Sequence, residues 1–131
     1  MIVVDTHVII WDALDPERLS TAAKRALTRA DRDDGIVICE ISLWEIAMLM
    51  KKKRLDVDAE YPTFIDLVLQ SRNYFLQNLT PAIADASVNI DLGKNKDPAD
   101  HIVAATAKVK GLSLITADQQ IQNSDAVKTI W

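Results

Sequence analysis

Four carboxylic acids stand where the surrounding sequence is apolar. Asp5 interrupts "VVDTHVII" directly after an apolar run, and Asp118 follows the apolar run of "LITAD". Glu45, in "ISLWEIAMLM", and Asp100, in "DPADHIVAATAKV", have apolar residues three and four positions further along, on the same face of a helix. An acid in such surroundings needs a charge partner, a helix to cap or a chemical role.

Brought into one cleft, these acids would form a site for a hard metal ion. Neighbouring carboxylates raise one another's pKa, so they cannot all ionise cheaply without a cation. Oxygen ligands without a Cys or His cluster suit Mg²⁺ or Mn²⁺ rather than zinc. Such an ion lowers the pKa of a bound water, orients it in line and stabilises the charge on the leaving oxygen. The pattern therefore predicts hydrolysis of a phosphodiester.

Each acid also has a structural interpretation. Asp5 could cap a helix that follows it, and Glu45 could face water in a first helical turn. Asp97 is the expected cap of a helix that begins with proline, and Asp100 could complete that capping arrangement. Asp118 could cap a short helix after "LITAD". Any one acid alone is therefore a weak signal.

The spacing of apolar residues predicts short strands that alternate with longer helices. The predicted strands are Ile2–Val4, Ile36–Cys39, Leu112–Ile115 and Val127–Ile130. The predicted helices are Thr6–Leu14 with Thr6 as its cap, Thr21–Ala30, about Ser42 to Lys52, Tyr61–Ser71, Pro81–Val88 and Pro98–Lys110. Strands separated by helices indicate a parallel sheet covered on both faces. Asp5 and Asp118 each follow a strand, so we expect both at the edge where such sheets bind ligands.

The composition indicates a single globular domain over residues 1–131. The chain is 49% hydrophobic and 26% charged, and its 131 residues suffice for one hydrophobic core. No apolar stretch approaches the roughly 20 residues that span a bilayer, and no secretory signal is visible at the start. The single cysteine, Cys39, excludes an intrachain disulfide, and a reducing cytoplasm is the expected location.

The net charge limits how nucleic acid could be bound. The charge of −4 and the pI near 5.0 are unlike those of domains that hold nucleic acid mainly by electrostatics, whose pI usually exceeds about 9. Acids concentrated at a metal site would be neutralised by the ion. The charge balance therefore weakens the interpretation as a binding module more than it weakens the interpretation as a metal-dependent nuclease.

The same acids lie in motifs that resemble the PIN-domain family, and within it the VapC-type toxins of bacterial and archaeal toxin–antitoxin pairs. The matching stretches are "VVDTHVIIW", "ISLWEIA", "DPADHIVAATAKVKGLSLITAD" and the final "IW", in family order from Ile2 to Trp131. Each stretch alone is weak evidence for the family, whereas four stretches in register are a specific signal. The resemblance implies a three-layer α/β/α sandwich around a mostly parallel sheet. It also implies an endoribonuclease dependent on Mg²⁺ or Mn²⁺ that leaves a 5′-phosphate and a 3′-hydroxyl, a cognate antitoxin partner and a homodimer.

The resemblance implies roles for individual residues. The family's four acids fall on Asp5, Glu45, Asp100 and Asp118, which would be the metal ligands and the catalytic residues. Supporting positions fall on Thr6, Ser42, Asp97 and Thr116. The hydroxyl groups would support the site through hydrogen bonds, whereas Asp97 is expected to be structural rather than a metal ligand.

Basic residues near these motifs are candidate contacts for RNA. They are Lys51, Lys52, Lys53, Arg54, Lys94, Lys96 and His101. The "KKKR" run could guide an RNA backbone, but a solvated helix end also explains it. His101 stands where many relatives have arginine, and Ala99 where many have an aromatic residue, so we expect altered phosphate contacts. Trp11 and Trp44 are expected to be core or interface residues rather than base-stacking platforms.

Other protein classes also place acids at strand ends. A receiver-like phosphorylation switch would need adjacent acids after the first strand and a lysine after a late one, and neither is present. A phosphatase with a DxD motif would need an acid where His7 stands, and the three glycines form no P-loop or dinucleotide pattern. A catalytically silent PIN-like module that binds RNA or protein stays open as the alternative, although all four acids are present.

Overall fold

The computed structural model describes all 131 residues, which form one five-stranded parallel sheet with helices on both faces. The strands are β1 (Ile2–Val4), β2 (Ile36–Cys39), β3 (Tyr74–Gln77), β4 (Leu114–Ile115) and β5 (Thr129–Ile130). The helices are α1 (Thr6–Leu14), α2 (Thr21–Arg32), α3 (Glu40–Lys51), α4 (Tyr61–Ser71), α5 (Pro81–Asn89), α6 (Pro98–Lys110) and α7 (Gln119–Asn123). A short 3₁₀ turn, Pro16–Arg18, separates α1 from α2. None of the helices is both long and apolar enough to cross a membrane.

The sheet has the strand order β3-β2-β1-β4-β5. β1 lies in the middle, with Val3 in register with Val37 of β2 and Leu114 of β4. The chain builds outward from β1 to β3 and then returns to the other side of β1, so the order reverses between β1 and β4. Ligands of open parallel sheets bind beyond the carboxyl ends of the strands at such a point. Asp5 follows β1 and Thr116 follows β4, so both lie at this crevice.

Alternating side chains of the strands divide the core into two layers. On one face, Val4 lies in a buried cluster with Leu27 of α2 and Phe64 of α4. On the other face, Val3 lies in a buried cluster with Val103 of α6. Each fully buried side chain of this kind contributes about 1.5–3 kcal/mol, so both layers stabilise the sheet that positions the site. The predicted three-layer α/β/α sandwich is confirmed.

Helix-terminal residues determine where several elements begin and end. Ser20 and Thr80 cap α2 and α5, because each side-chain oxygen accepts a hydrogen bond from the backbone N–H three residues further on. Pro98 opens α6 after its cap Asp97, and Gly111 ends it at a φ of 66°, which glycine adopts without strain. α6 therefore has the predicted bounds, as do α1 and α4.

Two helix starts differ from the prediction. α1 is capped by Asp5 rather than by Thr6, because the backbone N–H of Thr6 is itself the donor to the Asp5 carboxylate. α3 begins at Glu40, directly after β2, rather than near Ser42. Thr6 at the start of α1 and Ser42 in the first turn of α3 are therefore brought together, with their hydroxyl oxygens 2.8 Å apart.

The sheet has one strand more than the sequence indicates. β3, in "NYFLQN", lies at the edge of the sheet and pairs with β2 along its whole length. β4 begins at Leu114 rather than Leu112, because the backbone N–H of Leu112 bonds to the Ala107 carbonyl oxygen at the end of α6, at 2.9 Å. β5 begins at Thr129 rather than Val127. Pairing and helix capping, rather than local residue preference, set these boundaries.

Arg72, between α4 and β3, joins three segments by charge-assisted hydrogen bonds. Its Nε and Nη2 donate to the Asp12 carboxylate of α1 at 2.6 and 3.0 Å, and Nη1 donates to Asp31 of α2 at 3.3 Å. Asp31 also accepts from the backbone N–H of Asn73 at 2.7 Å. The Arg72 side chain is 22% exposed and that of Asp12 is 12% exposed, so water is largely kept from this pair.

Arg72→Ala is expected to reduce the free energy of unfolding by about 2 kcal/mol, because it leaves the largely buried carboxylate of Asp12 unpaired. Arg32 is exposed and pairs only with its neighbour Asp33, so Arg32→Ala should leave stability unchanged. Urea denaturation of both variants measures the difference. Equal, small effects of the two substitutions would show that the ion pairs of Arg72 add no net stability.

Candidate active site

Asp5 is buried at the end of β1, where two hydrogen bonds hold its carboxylate. One oxygen accepts from the backbone N–H of Thr6 at 2.7 Å and so caps α1, and the other accepts from the Thr116 hydroxyl at 2.7 Å. Asp5 is only 6% exposed. Burial raises the pKa of its carboxyl group, and the two donors oppose that rise. Asp5 is therefore a helix cap and a buried acid of the crevice at the same time.

Glu45, on α3, is tied to the same region by two hydroxyl groups. Thr6 donates its hydroxyl hydrogen to Glu45 Oε1, and the hydroxyl oxygens of Thr6 and Ser42 lie 2.8 Å apart. Because a hydroxyl group has one hydrogen to donate, Ser42 must donate to Thr6. This hydroxyl chain, Ser42 to Thr6 to Glu45, fixes one carboxylate oxygen of Glu45.

Asn95 links the two remaining acids of the set. Its Nδ2 donates to Asp100 Oδ2 at 2.8 Å and to Asp118 Oδ2 at 3.5 Å. Its Oδ1 accepts from the backbone N–H of Asp97 at 2.9 Å, and its backbone oxygen lies 2.7 Å from His101 Nε2. Asn95 is 8% exposed. A buried amide thus holds the carboxylates of α6 and of the β4–α7 connection next to each other.

Asp97 and Asp118 each use one oxygen as a helix cap. Asp97 Oδ1 accepts from the backbone N–H groups of Ala99 and Asp100 at the start of α6, at 2.9 and 3.4 Å. Asp118 Oδ1 accepts from the backbone N–H of Ile121 at the start of α7, at 2.9 Å. The capping interpretation of both acids is therefore correct, and it commits only one oxygen of each.

The acids line one cavity of about 310 Å³ beyond the carboxyl ends of β1 and β4. Its walls are formed by Asp5, His7, Trp11, Glu45, Asp97, Asp100, Ala117 and Asp118. No lysine or arginine lines the cavity, and none of its acids takes part in a salt bridge. The cavity therefore concentrates negative charge that no lysine or arginine neutralises, and the exposed imidazole of His7 is its one basic side chain.

Burial is the main reason why the pKa values of three of these acids are higher than usual. It raises the pKa of Asp5, Glu45 and Asp100, and that of Asp100 reaches about 7. Repulsion between carboxylates adds to the effect at Asp100, which is close to Asp5, Asp97 and Asp118. A bound cation would oppose both causes, because it favours the charged form of every carboxylate near it.

The donor set of the cavity fits a hard divalent cation. Its acids supply oxygen ligands and no cysteine lines it. Glu45 Oε2, Asp97 Oδ2 and Asp100 Oδ1 accept no hydrogen bond, so each remains able to bind a cation. In this conformation no three His, Cys, Asp or Glu side chains are arranged to hold a metal ion. Binding would therefore require the carboxylates to move toward one another.

The candidate RNA contacts lie outside this cavity. The segment 51–54 and Lys96 are exposed to solvent. Lys94 lines a separate surface pocket of about 480 Å³. His101 turns both ring nitrogens toward backbone carbonyl oxygens, at 2.7 and 3.3 Å, rather than toward the cavity. His101 therefore packs against the loop that carries the buried amide, and the lysines remain available on the surface.

The sequence analysis did not identify three residues of this site. His7 and Trp11 lie four residues apart on α1, directly after Asp5, and that spacing alone could have placed both on one helix face. Asn95 stands between two lysines in a polar loop, where no pattern distinguishes it. Only the fold brings its amide to Asp118.

The raised pKa of Asp100 predicts pH-dependent stability of the metal-free protein. Between the ordinary pKa of 3.8 and the folded value of about 7, the folded state binds more protons than the unfolded state, so this group's contribution to stability falls as pH rises. Asp100→Asn removes the effect. At about pH 8 it should be more stable than the parent by about 1–2 kcal/mol, allowing for solvent screening, and at about pH 4 the two should be equal. Thermal unfolding with a chelator measures this, and a difference that does not grow with pH would contradict the raised pKa.

Asn95→Ala is expected to reduce the free energy of unfolding by about 1–3 kcal/mol, because Asp97 N–H and Asp100 Oδ2 lose their partner. Asn89→Ala is the matched control, since the Asn89 amide donates to Asp85 on the exposed surface of α5. Calorimetric unfolding of the two variants gives the comparison. If Asn95→Ala costs no more than the control, the buried amide does not hold the acids in place.

Solved structures of other proteins have the same fold. A chain in the structure of VapBC2 from Rickettsia felis bound to a DNA fragment from their promoter superposes with a TM-score of 0.73 at 13% identity, covering 98% of this chain and 97% of that one. A chain of a toxin–antitoxin complex from Klebsiella pneumoniae superposes with a TM-score of 0.63 at 24% identity, covering 97% of this chain and 95% of that one.

Sequence comparison also finds similarity to known proteins over almost the whole chain. Ribonuclease VapC22 from Mycobacterium tuberculosis is 29% identical over 132 residues, covering 99% of this chain and 98% of that protein. The family model described as PIN domain matches residues 2–126. The chain therefore belongs to the PIN-domain family, as its motifs indicated.

Proposed function

We propose that this chain is a divalent-metal-dependent endoribonuclease that hydrolyses RNA phosphodiester bonds as the toxin of a toxin–antitoxin pair. The observation that carries the proposal is the cavity at the strand-order reversal, where acids from separate segments meet without a neutralising lysine or arginine. The name of the similar ribonuclease from Mycobacterium tuberculosis supports RNA as the substrate. The toxin–antitoxin complex from Klebsiella pneumoniae supports the toxin role.

In this proposal four acids hold Mg²⁺ or Mn²⁺ and are the catalytic residues. They are Asp5, Glu45, Asp100 and Asp118. A divalent cation at such a site lowers the pKa of water and stabilises the negative charge that develops on the leaving oxygen. Asp97 lies beside them and is proposed to act through its cap of α6.

The neighbouring side chains prepare the acids for this role. Thr116 holds Asp5, and the hydroxyl chain from Ser42 holds Glu45, so the orientations of both carboxylates in the cavity are fixed before a cation draws the acids together. The pKa of Asp100 rises to about 7, so at neutral pH about half of the molecules carry this proton before a cation binds. Loss of that proton and binding of the cation are therefore coupled, and the affinity for the cation should rise with pH.

A cognate antitoxin and a second copy of the chain are the proposed protein partners. The similar structures from Rickettsia felis and Klebsiella pneumoniae, named as a VapBC2 assembly and a toxin–antitoxin complex, support an antitoxin. Large apolar side chains remain exposed on α3 and α4, where Trp44 is 58% and Leu67 is 62% exposed. Such side chains offer apolar contact area to a protein partner.

Cleavage of a defined pool of single-stranded RNAs by the purified protein tests the function. Cleavage is expected with Mg²⁺ or Mn²⁺ and not with a chelator. Asp100→Asn should reduce the rate at least about 100-fold, because it removes a negative charge from the proposed metal site. Asp66→Asn changes an exposed acid of α4 outside the cavity and should cleave at the parent's rate.

Each part of the proposal can fail separately. Cleavage that persists in chelator would overturn the metal dependence, and full activity of Asp100→Asn would remove that residue from the site. If no RNA is cleaved, calorimetric titration with Mn²⁺ shows whether the protein still binds the metal ion. A protein that binds Mn²⁺ but cleaves no RNA would be the catalytically silent PIN-like module instead.

A further inference from the structure

His7 and Trp11 form an aromatic wall of the acidic cavity. They lie one helical turn apart on α1, directly after Asp5, and both line the cavity. Their ring centroids are 5.8 Å apart and the ring planes are tilted by 50°. Carboxylates and aromatic rings therefore face the same space.

Two further side chains hold Trp11 in place. The Trp131 ring lies 5.9 Å from the Trp11 ring and is tilted by 54°. The guanidinium carbon of Arg18 lies 4.6 Å from the Trp11 ring centroid, a cation–π contact worth about 0.5–1 kcal/mol at an exposed site. Because these neighbours occupy part of the Trp11 surface, the exposed ring of His7 is the more accessible aromatic surface for a ligand.

The charge of the cavity restricts which part of a nucleic acid can bind beside this wall. The acids repel phosphates, and no lysine or arginine lines the cavity to attract them. Away from a bound cation, the cavity therefore favours an uncharged group of a nucleic acid over its phosphates. A nucleobase is such a group, and bases stack on histidine and tryptophan side chains.

We propose that His7, supported by Trp11, is the stacking surface for the nucleobase next to the cleaved phosphodiester. This inference rests on the proposed ribonuclease function and names the part of that substrate which the aromatic wall binds. Every base has a π face, so stacking adds affinity and position and tolerates different sequences. The sequence context of Trp11 predicts only a core or interface role, and this proposal adds a role in supporting the ring that binds the base.

A purely structural role for the aromatic cluster makes a different prediction. Packing of Trp131 and Arg18 on Trp11 stabilises α1 whether or not RNA is present. His7 is exposed and adds little to that packing. His7→Ala should therefore leave the fold intact and remove only the stacking surface.

The test is the binding of matched single-stranded RNAs, in the presence of Mn²⁺, to the Asp100→Asn protein, which is expected to cleave them at least about 100-fold more slowly than the parent. One RNA set carries 2-aminopurine, whose fluorescence falls on stacking, at each position of a short sequence in turn. The second set carries an abasic nucleotide at the same positions. The readout is the dissociation constant of each RNA, so it does not depend on cleavage.

His7→Ala in this background is expected to weaken binding of the intact RNA by about 5- to 150-fold, which corresponds to stacking of about 1–3 kcal/mol. Binding of the abasic RNA should not change. Trp44→Ala is the matched control, because Trp44 is exposed on α3 outside the cavity, and it should bind both RNAs as the parent does. Trp11→Leu should behave as His7→Ala does, and if it fails to fold, His7→Ala alone decides.

Two results would overturn the stacking role. One is binding of the intact RNA by His7→Ala within about two-fold of the parent, and the other is an equal loss of affinity for intact and abasic RNA. The ribonuclease function fails independently of this inference. A protein that quenches 2-aminopurine but cleaves no RNA keeps the stacking surface, whereas one that cleaves RNA without quenching keeps only the nuclease.

Discussion

The site depends on carboxylates that are buried or partly buried together in one cavity without a lysine or arginine to neutralise them. Desolvation and mutual repulsion both disfavour ionisation, and the pKa of Asp100 rises to about 7 for these reasons. The chain offsets part of the cost with uncharged donors: the hydroxyls of Thr6 and Thr116, the amide of Asn95 and backbone N–H groups at helix starts. Such donors orient the carboxylates and leave their net charge in place, which is the condition under which a divalent cation binds well.

The parallel sheet explains why acids that cap helices also line the cavity. At each junction from strand to helix, the first N–H groups of the helix lack partners within it, so an acceptor is needed there. The same junctions open onto the crevice beyond the strand ends, where ligands bind. Asp5 after β1 and Asp118 after β4 each cap a helix with one oxygen and reach a neighbour with the other. Capping and participation in a site are therefore consequences of one geometry rather than competing explanations.

Local patterns predicted those parts of the molecule that local interactions control. The bounds of α1, α4 and α6 follow from apolar spacing and helix-terminal residues, whereas β3 is held by its pairing with β2, which no short window of sequence contains. The acids could be identified because a charge within an apolar run contrasts with its surroundings. Asn95 has polar neighbours and gives no such contrast, although its amide reaches Asp118 in the fold. His101 shows the converse, because its residue type suggested a phosphate contact and its ring faces two backbone carbonyls.

The charge distribution couples the binding of the cation to the binding of RNA in the proposed reaction. Exposed lysines at the end of α3 attract the phosphates of an RNA chain. Salt screens this attraction beyond the Debye length, which is about 8–10 Å at physiological salt. Within the cavity, the acids repel phosphates until a cation is bound, whereas the proposed stacking on His7 involves an uncharged base. Cation and RNA therefore assist each other's binding at this site. Because such coupling is reciprocal, RNA held there raises the affinity for the cation by the same factor as the cation raises the affinity for RNA.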